Sequence, residues 1–410
     1  MARSLYICYF GVDQPLVQTQ VIPYLRELVK GGHEISLVTF ERGEVAEAEV
    51  RERLVGQGFE WHWLRYHKRP SVPATLFDIV NGARFIGKLA RERDFDILHA
   101  RAHIPMMMAY LVRKWGRSRA KLLFDIRGFV PEEYVDAGVW RDGGAIYRSV
   151  KRFEKRLMDE ADGFVVLTEA AHEILSDEIG DRPVEVIPCC VDFERRFSGD
   201  RDAGRTRIRQ ELGIEDRFVF IHVGALGGLY LSEEIADLLM VARRENEKTF
   251  GLFLTQSDPN HIVPLLKDRG FTEKDFFVGR VSADQVEDYL YASDVGLSFV
   301  KATFATKSRS PTKIPEYFAA GLPVIANRGV GDVDSLIEQN QAGILVDEFS
   351  ERSYMSVFDA AFAGDRDREL LVKLAREQFD LESVGGERYR RLYEQLVPRQ
   401  PRDGEFSSSE

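Results

Sequence analysis

Short apolar runs recur along the chain, separated by amphipathic stretches of helical period. "SLYICYFG" reads as a buried strand ending at Gly11, "TQVIPYLRELVKGG" as a helix stopped by a double glycine, and "HEISLVTF" as the next strand. The alternation continues through the strand "FDILHAR", the helix "IPMMMAYLVRKW", the strand "KLLFDIRG", the helix "RSVKRFEKRLMDEA", the strand "GFVVLT", the helix "EAAHEILSDEI" and the strand "VEVIP". Strands and helices alternating at this spacing predict a doubly wound parallel sheet. "DFERRFSGDRDAGRTRIRQELG" is charged and poor in large apolar side chains, and predicts a linker followed by the first helix of a second unit. There the pattern restarts with the strand "RFVFIHVG", the helix "LSEEIADLLMVARR", the strand "TFGLFLT", and so on to "GILVDE". The expected domains are 1–192 and 205–377, then a terminal helix over 378–397 and a disordered tail over 398–410.

One stretch concentrates chemistry. In "SRSPTKIPEYFAAGLPVIAN" (308–327) a helix is expected to begin near Pro311 with Ser310 as its cap and to stop at Gly321, between the strands "DVGLSFV" and "PVIAN". Its start then lies at the carboxyl end of a strand, where open α/β sheets bind ligands and free N–H groups attract phosphate. Lys313 adds a positive charge, and Glu316 stands one turn further along. A phosphate with a sugar hydroxyl pair explains this arrangement; a capped helix with a solvated Lys–Glu pair explains it as well. In "VGALGGLY", Gly224, Gly227 and Gly228 allow backbone to approach a ligand closely, or simply make a tight turn. His103 follows a strand and either orients a substrate or is a satisfied structural histidine. Asp125 and Arg127 alternate along one strand and share a face. "WHWLRYHKRPS" (Trp61 to Ser71) interleaves aromatic and basic residues, as a contact with anionic lipid or as an edge strand with a cationic face.

At 410 residues, two domains are the default, and 44% hydrophobic with 30% charged residues is ordinary for a globular protein. The net charge of -11 argues against a general nucleic-acid binder. Three cysteines, two of them adjacent, form neither a disulfide framework nor a metal-ligand spacing. With no signal-peptide pattern and no run able to span a bilayer, the expectation is a cytoplasmic protein, possible contact with the inner membrane face being confined to Trp61–Arg69.

Taken in chain order, "EVIPCCVDFERRF", "SPTKIPEYFAAGLPVIA" and the closing "FDLESVGGERYRRLYEQL" resemble the interdomain, donor-binding and terminal segments of the family-4 (group 1) retaining glycosyltransferases. "YLRELVKGGHEISLVTF" and "KRLMDEADGFVVLTEAAHEIL" fit the same family's first half. The resemblance implies a GT-B architecture: two Rossmann-like doubly wound domains facing a cleft, the first for the acceptor, the second for a nucleotide sugar, with the last helix crossing back. It implies that Glu316 holds the ribose hydroxyls and that Ser310, Pro311 and Thr312 lead into the N–H groups on the diphosphate. It also implies that Gly279, Arg280 and Val281 meet the base and that Gly11 lies against the phosphates. This sequence departs from the family in four places: Ser308 replaces the first glutamate, Leu381 a tryptophan and Arg127 the acceptor-side histidine, and no arginine and lysine follow "RFVFIHVG". Lys313 is therefore the expected cation for the departing phosphate, with Arg127, Asp125 and His103 on the acceptor side. The implied activity is transfer of a hexosyl or related group from a nucleotide-diphosphate sugar (UDP foremost) to a glycan, glycolipid or small molecule, with retention and no metal or other cofactor, in surface polysaccharide or glycoconjugate synthesis. A nucleotide-sugar 2-epimerase and an inactive nucleotide-sugar-binding protein remain as alternatives.

Overall fold

The computed structural model describes residues 1–43, 46–362 and 367–398. Seven strands form a first sheet: β1 (Arg3–Cys8), β2 (Glu34–Glu41), β3 (Phe59–Arg65), β4 (Ile97–Arg101), β5 (Lys121–Asp125), β6 (Gly163–Val166) and β7 (Val184–Val186). Six form a second: β8 (Phe218–Val223), β9 (Thr249–Leu254), β10 (Phe276–Gly279), β11 (Val295–Ser298), β12 (Val324–Asn327) and β13 (Gly343–Val346). Their orders are β3-β2-β1-β4-β5-β6-β7 and β10-β9-β8-β11-β12-β13. Neighbouring strands pair in parallel, so helices must cover both faces, and the strands read as near-continuous apolar runs for that reason. Each sheet reverses direction between its first strand and its fourth, at β1/β4 and β8/β11. At such a switch point a crevice opens outside the carboxyl ends of the strands.

The tryptophan-rich stretch is the edge strand β3. Trp61 is fully buried, and its indole N–H donates to the Thr39 hydroxyl, so it is not available to a lipid surface; Arg65, Lys68, Arg69 and Pro70 are exposed there. The 23-residue helix Ser71–Arg93 follows. It leaves Val72, Leu76 and Phe77 exposed. No helix among the described residues is long and apolar enough to cross a membrane.

The terminal segment returns to the first sheet. Val191 and Asp380 pair side by side, and a six-residue π-helical turn, Leu381–Gly386, leads into the helix Glu387–Leu396. Tyr389 and Tyr393 of that helix are buried on the face of the first sheet that also carries Tyr6 and Cys8. Leu381, in the place of the family tryptophan, is buried in the same cluster. The expected tail over 398–410 falls, apart from residue 398, outside the described residues.

Candidate functional site

The helix of the opening motif runs from Lys313 to Ala319, two residues later than expected. Ser310 does not cap it. The residue at the cap position is Thr312, without a side-chain bond, because the Ser310 hydroxyl is used elsewhere, accepting from the Cys189 N–H at 3.1 Å across to the first half. Pro311 accordingly lies in the turn before the helix, whose Ile314 N–H reaches the Pro311 carbonyl. What fixes the helix is Tyr317. Its ring is fully buried, and its hydroxyl accepts from the Val223 N–H at 3.0 Å and lies 3.3 and 3.2 Å from the carbonyls of Ile221 and Leu297. The tyrosine thus ties the helix to β8 and β11, on either side of the second switch point.

That docking carries Lys313 beneath the loop after β8. Gly224 and Gly227 have φ of +117° and +75°, backbone that other residues adopt only with strain. A Cβ on Gly224 would lie 3.7 Å from the Lys313 ammonium. Lys313 is 5% exposed; its ammonium sits 3.5 Å from His222 Nε2 and over the Tyr230 ring. Among the described residues it has no carboxylate within ion-pair distance. Burial pulls its pKa down to about 7, with Glu316 acting the other way. His222 is held well below its ordinary value, first by burial and then by the neighbouring lysine. A buried lysine without a counter-ion, under a glycine loop at a switch point, is ready for an oxyanion.

Glu316 lies one turn on, bound to Arg196 of the segment between the sheets. At the end of β10, the Gly279 carbonyl accepts from the Thr255 N–H and the Arg280 guanidinium donates to the Gln256 carbonyl, which orders the backbone leading into Val281. In the first half, Gly11 is kept small by a buried carboxylate, since a Cβ there would approach Glu41 Oε2 to 2.6 Å. Glu41 accepts from the Val12 N–H at 2.9 Å, and burial raises its pKa.

A second polar group lies at the carboxyl ends of β4 and β5. Asp125 is fully buried; Arg127 Nε stands 3.5 Å from it, Arg101 Nη1 3.8 Å and His99 Nε2 3.6 Å. The hydroxyls of Tyr6 and Tyr389 both point at its Oδ2. Burial alone would raise the Asp125 pKa, but Arg127, His99 and Arg101 outweigh it and hold the group at about 2. His103 is not part of this group. It opens the next helix with its Nε2 2.7 Å from Glu154, behind the sheet against Phe124.

The segment 17–195 matches the model described as Glycosyltransferase Family 4, and 217–357 the model described as Glycosyl transferases group 1. The chain belongs to the family-4, group 1 glycosyltransferases. No curated protein matches it in sequence. Among solved structures it resembles a glycosyltransferase from Rickettsia africae ESF-5 (TM-score 0.73, 15% identity, 97% of this chain and 99% of that one). It also resembles Anabaena HepE in complex with UDP-glucose (0.69, 13%, 96% and 100%) and WaaG, a glycosyltransferase of lipopolysaccharide biosynthesis (0.66, 15%, 97% and 100%). The fold is GT-B, as the motifs implied.

In this glycosyltransferase, Ser308, where the resemblance expects the family's first glutamate, helps to hold the halves together. Ser308 is 2% exposed; its hydroxyl accepts from the Phe129 N–H and donates to the Ala305 carbonyl. A cavity of about 270 Å³ also opens between the halves, lined by Thr168, Ser310, Asp332 and Arg388 among others. Neither Lys313 nor Glu316 lines it. Sequence reasoning missed Glu41, Arg101, Arg196 and His222. Glu41 and Arg101 end parallel strands and His222 is the last residue but one of β8, and a charged or imidazole side chain at the close of an apolar run was the available signal.

Proposed function

We propose that this glycosyltransferase moves a hexosyl or related group from a UDP-sugar to a surface glycan or glycoconjugate acceptor, with retention and without a metal ion. The observation that carries the reading is Lys313, buried without a carboxylate partner against Gly224; it supplies the positive charge for the diphosphate. Family membership makes sugar transfer the reaction, and HepE with UDP-glucose and WaaG in lipopolysaccharide synthesis favour the donor and the acceptor class. In the step itself, the bond between the sugar C1 and the phosphate oxygen breaks and its electron pair leaves with UDP. The acceptor hydroxyl oxygen bonds C1, and its proton passes to a phosphate oxygen. Lys313 meets the charge that grows on the leaving group, and Glu316 takes the ribose hydroxyls after releasing Arg196. Where the acceptor is lipid-linked, Lys68 and Arg69 with Val72, Leu76 and Phe77 form the surface that meets the bilayer.

A group that acts on the departing charge is felt more in the rate than in binding. Replacing Lys313 with Ala is expected to lower kcat by about 10² to 10³, the range for losing one preorganised donor, with a smaller change in donor affinity and no effect of EDTA on the parent rate. UDP release from UDP-sugars, with a melting curve for each variant, is the measurement; turnover within a few-fold of the parent would remove Lys313 from the reaction. One observation favours a nucleotide-sugar-binding protein without turnover: Ser308 offers no carboxylate to the sugar. UDP-sugar binding without UDP release on any acceptor would select that reading.

A further inference from the structure

We propose that Arg101 and Arg127 form a second anion site, on the first half's side of the cleft, that takes a phosphate-class oxyanion carried by a substrate. The inference rests on the sugar-transfer reading only for the identity of that substrate.

The two side chains sit where the first sheet opens. Arg101 is the last residue of β4, in register with Cys8 of β1 and Asp125 of β5, so it stands at the switch point itself. Arg127 follows two residues after β5 ends. Both are buried, Arg101 to 5% and the Arg127 side chain to 10% exposure. Each has Asp125 as its carboxylate partner, and among the described residues neither has another. Two guanidinium charges therefore face one carboxylate. His99 does not alter the balance in their favour, since burial lowers its pKa and leaves the imidazole neutral near pH 7.

The hydrogen-bond account is lopsided in the same direction. The hydroxyls of Tyr6 and Tyr389 spend their protons on Asp125 Oδ2. Asp125 Oδ1 and Arg127 Nε, both without a hydrogen bond, are 3.5 Å apart and need only a small rotation to satisfy one another. After that rotation Arg101 Nη1 and Arg127 Nη1 still have no acceptor. A buried guanidinium N–H without an acceptor is costly, and a cluster with one charge too many is costlier. One oxyanion between the two arginines corrects both deficits, because guanidinium forks match phosphate geometry. Arg127 acts electrostatically on Cys189, whose N–H donates to the Ser310 hydroxyl, so the site is next to the start of the donor segment yet on a different sheet from Lys313.

The carrier is either the acceptor, bearing a phosphate, or the donor's own diphosphate reaching across the cleft. Inorganic phosphate is the probe, against chloride at equal ionic strength, with melting temperature and calorimetric Kd measured with and without saturating UDP. The parent is expected to gain stability from phosphate over chloride, and Arg101→Gln and Arg127→Gln to raise the phosphate Kd tenfold or more. Additive effects of phosphate and UDP assign the oxyanion to the acceptor; loss of the phosphate effect under UDP assigns it to the donor. If the variants do not fold, crystals of the parent soaked in tungstate are expected to show an anomalous peak between the two guanidinia, and no peak there overturns the proposal. A parent that binds UDP but responds to phosphate no more than to chloride overturns it and leaves sugar transfer standing. Phosphate binding through the arginines in a protein that binds no nucleotide does the reverse.

Discussion

Lys313 is the residue on which chemistry and burial pull hardest against each other. In the folded protein it loses its proton near pH 7, against 10.5 when unfolded. Between those values the unfolded chain holds a proton that the folded chain lacks, so this group's contribution to stability rises with pH across that window, and below it the cost of the buried charge is fully felt. A diphosphate under the Gly224 loop would restore the proton. UDP binding at pH 8 is therefore expected to take up close to one proton and to weaken as pH rises further, effects that Lys313→Met abolishes; comparing binding enthalpies in buffers of different ionisation heat reads the uptake directly, and none in the parent would place the phosphates elsewhere. Glu316 behaves differently, since it already has a partner. With the carboxylate shared between Arg196 and a ribose, Glu316→Gln is expected to weaken UDP by about 1.5–3 kcal/mol, as charge-assisted bonds become neutral ones, whereas Arg196→Gln, which removes the competitor, is expected to tighten it. The same calorimeter decides, and equal affinities in all three proteins would make the pair structural.

Among the elements, the helix Glu169–Ile179 is capped twice. Thr168 accepts from the Ala171 N–H and donates to the Lys307 carbonyl of the other half, and Asp332, also of the other half, accepts from the N–H groups of Glu169 and Ala170 at 2.7 and 3.0 Å. Carboxylate caps at a helix start contribute about 1–2 kcal/mol. Asp332→Ala should therefore speed hydrogen exchange of the 169–170 amides without touching those of β1 or β4; unchanged protection there would mean that the carboxylate holds nothing. Legibility differed among the elements for similar reasons. Most of the buried strands and the helices between them were readable because a parallel sheet demands unbroken apolar runs, while the helices Glu47–Val55 and Ser71–Arg93 were not read. The start of the Lys313 helix was not, because local preference put Ser310 at its cap while a partner more than a hundred residues away, Cys189, claimed the hydroxyl.

At the scale of the whole molecule, the alternation of strands and helices and the family were written in motifs that each span a few turns of chain, which is why Glu316 and the glycine loop stood out. The Arg101–Asp125–Arg127 group was only half visible, since its charge balance exists only once β4, β5 and the last helix are side by side. That helix has a further consequence. Tyr393 bonds the hydroxyl of Ser4 at 3.0 Å, 389 residues earlier in the chain. At about 5–20 residues per second, a ribosome needs roughly 20–80 s to travel that distance. For the later half of that interval, from Val186 at the end of β7 onward, the first sheet is complete in its strands yet open on the face that Tyr389 and Tyr393 will cover, with Asp125 in reach of water. The earliest part of the protein to be synthesised is thus among the last to be sealed, and a nascent chain halted before Glu387 leaves the ribosome's care with its oldest sheet still unfinished.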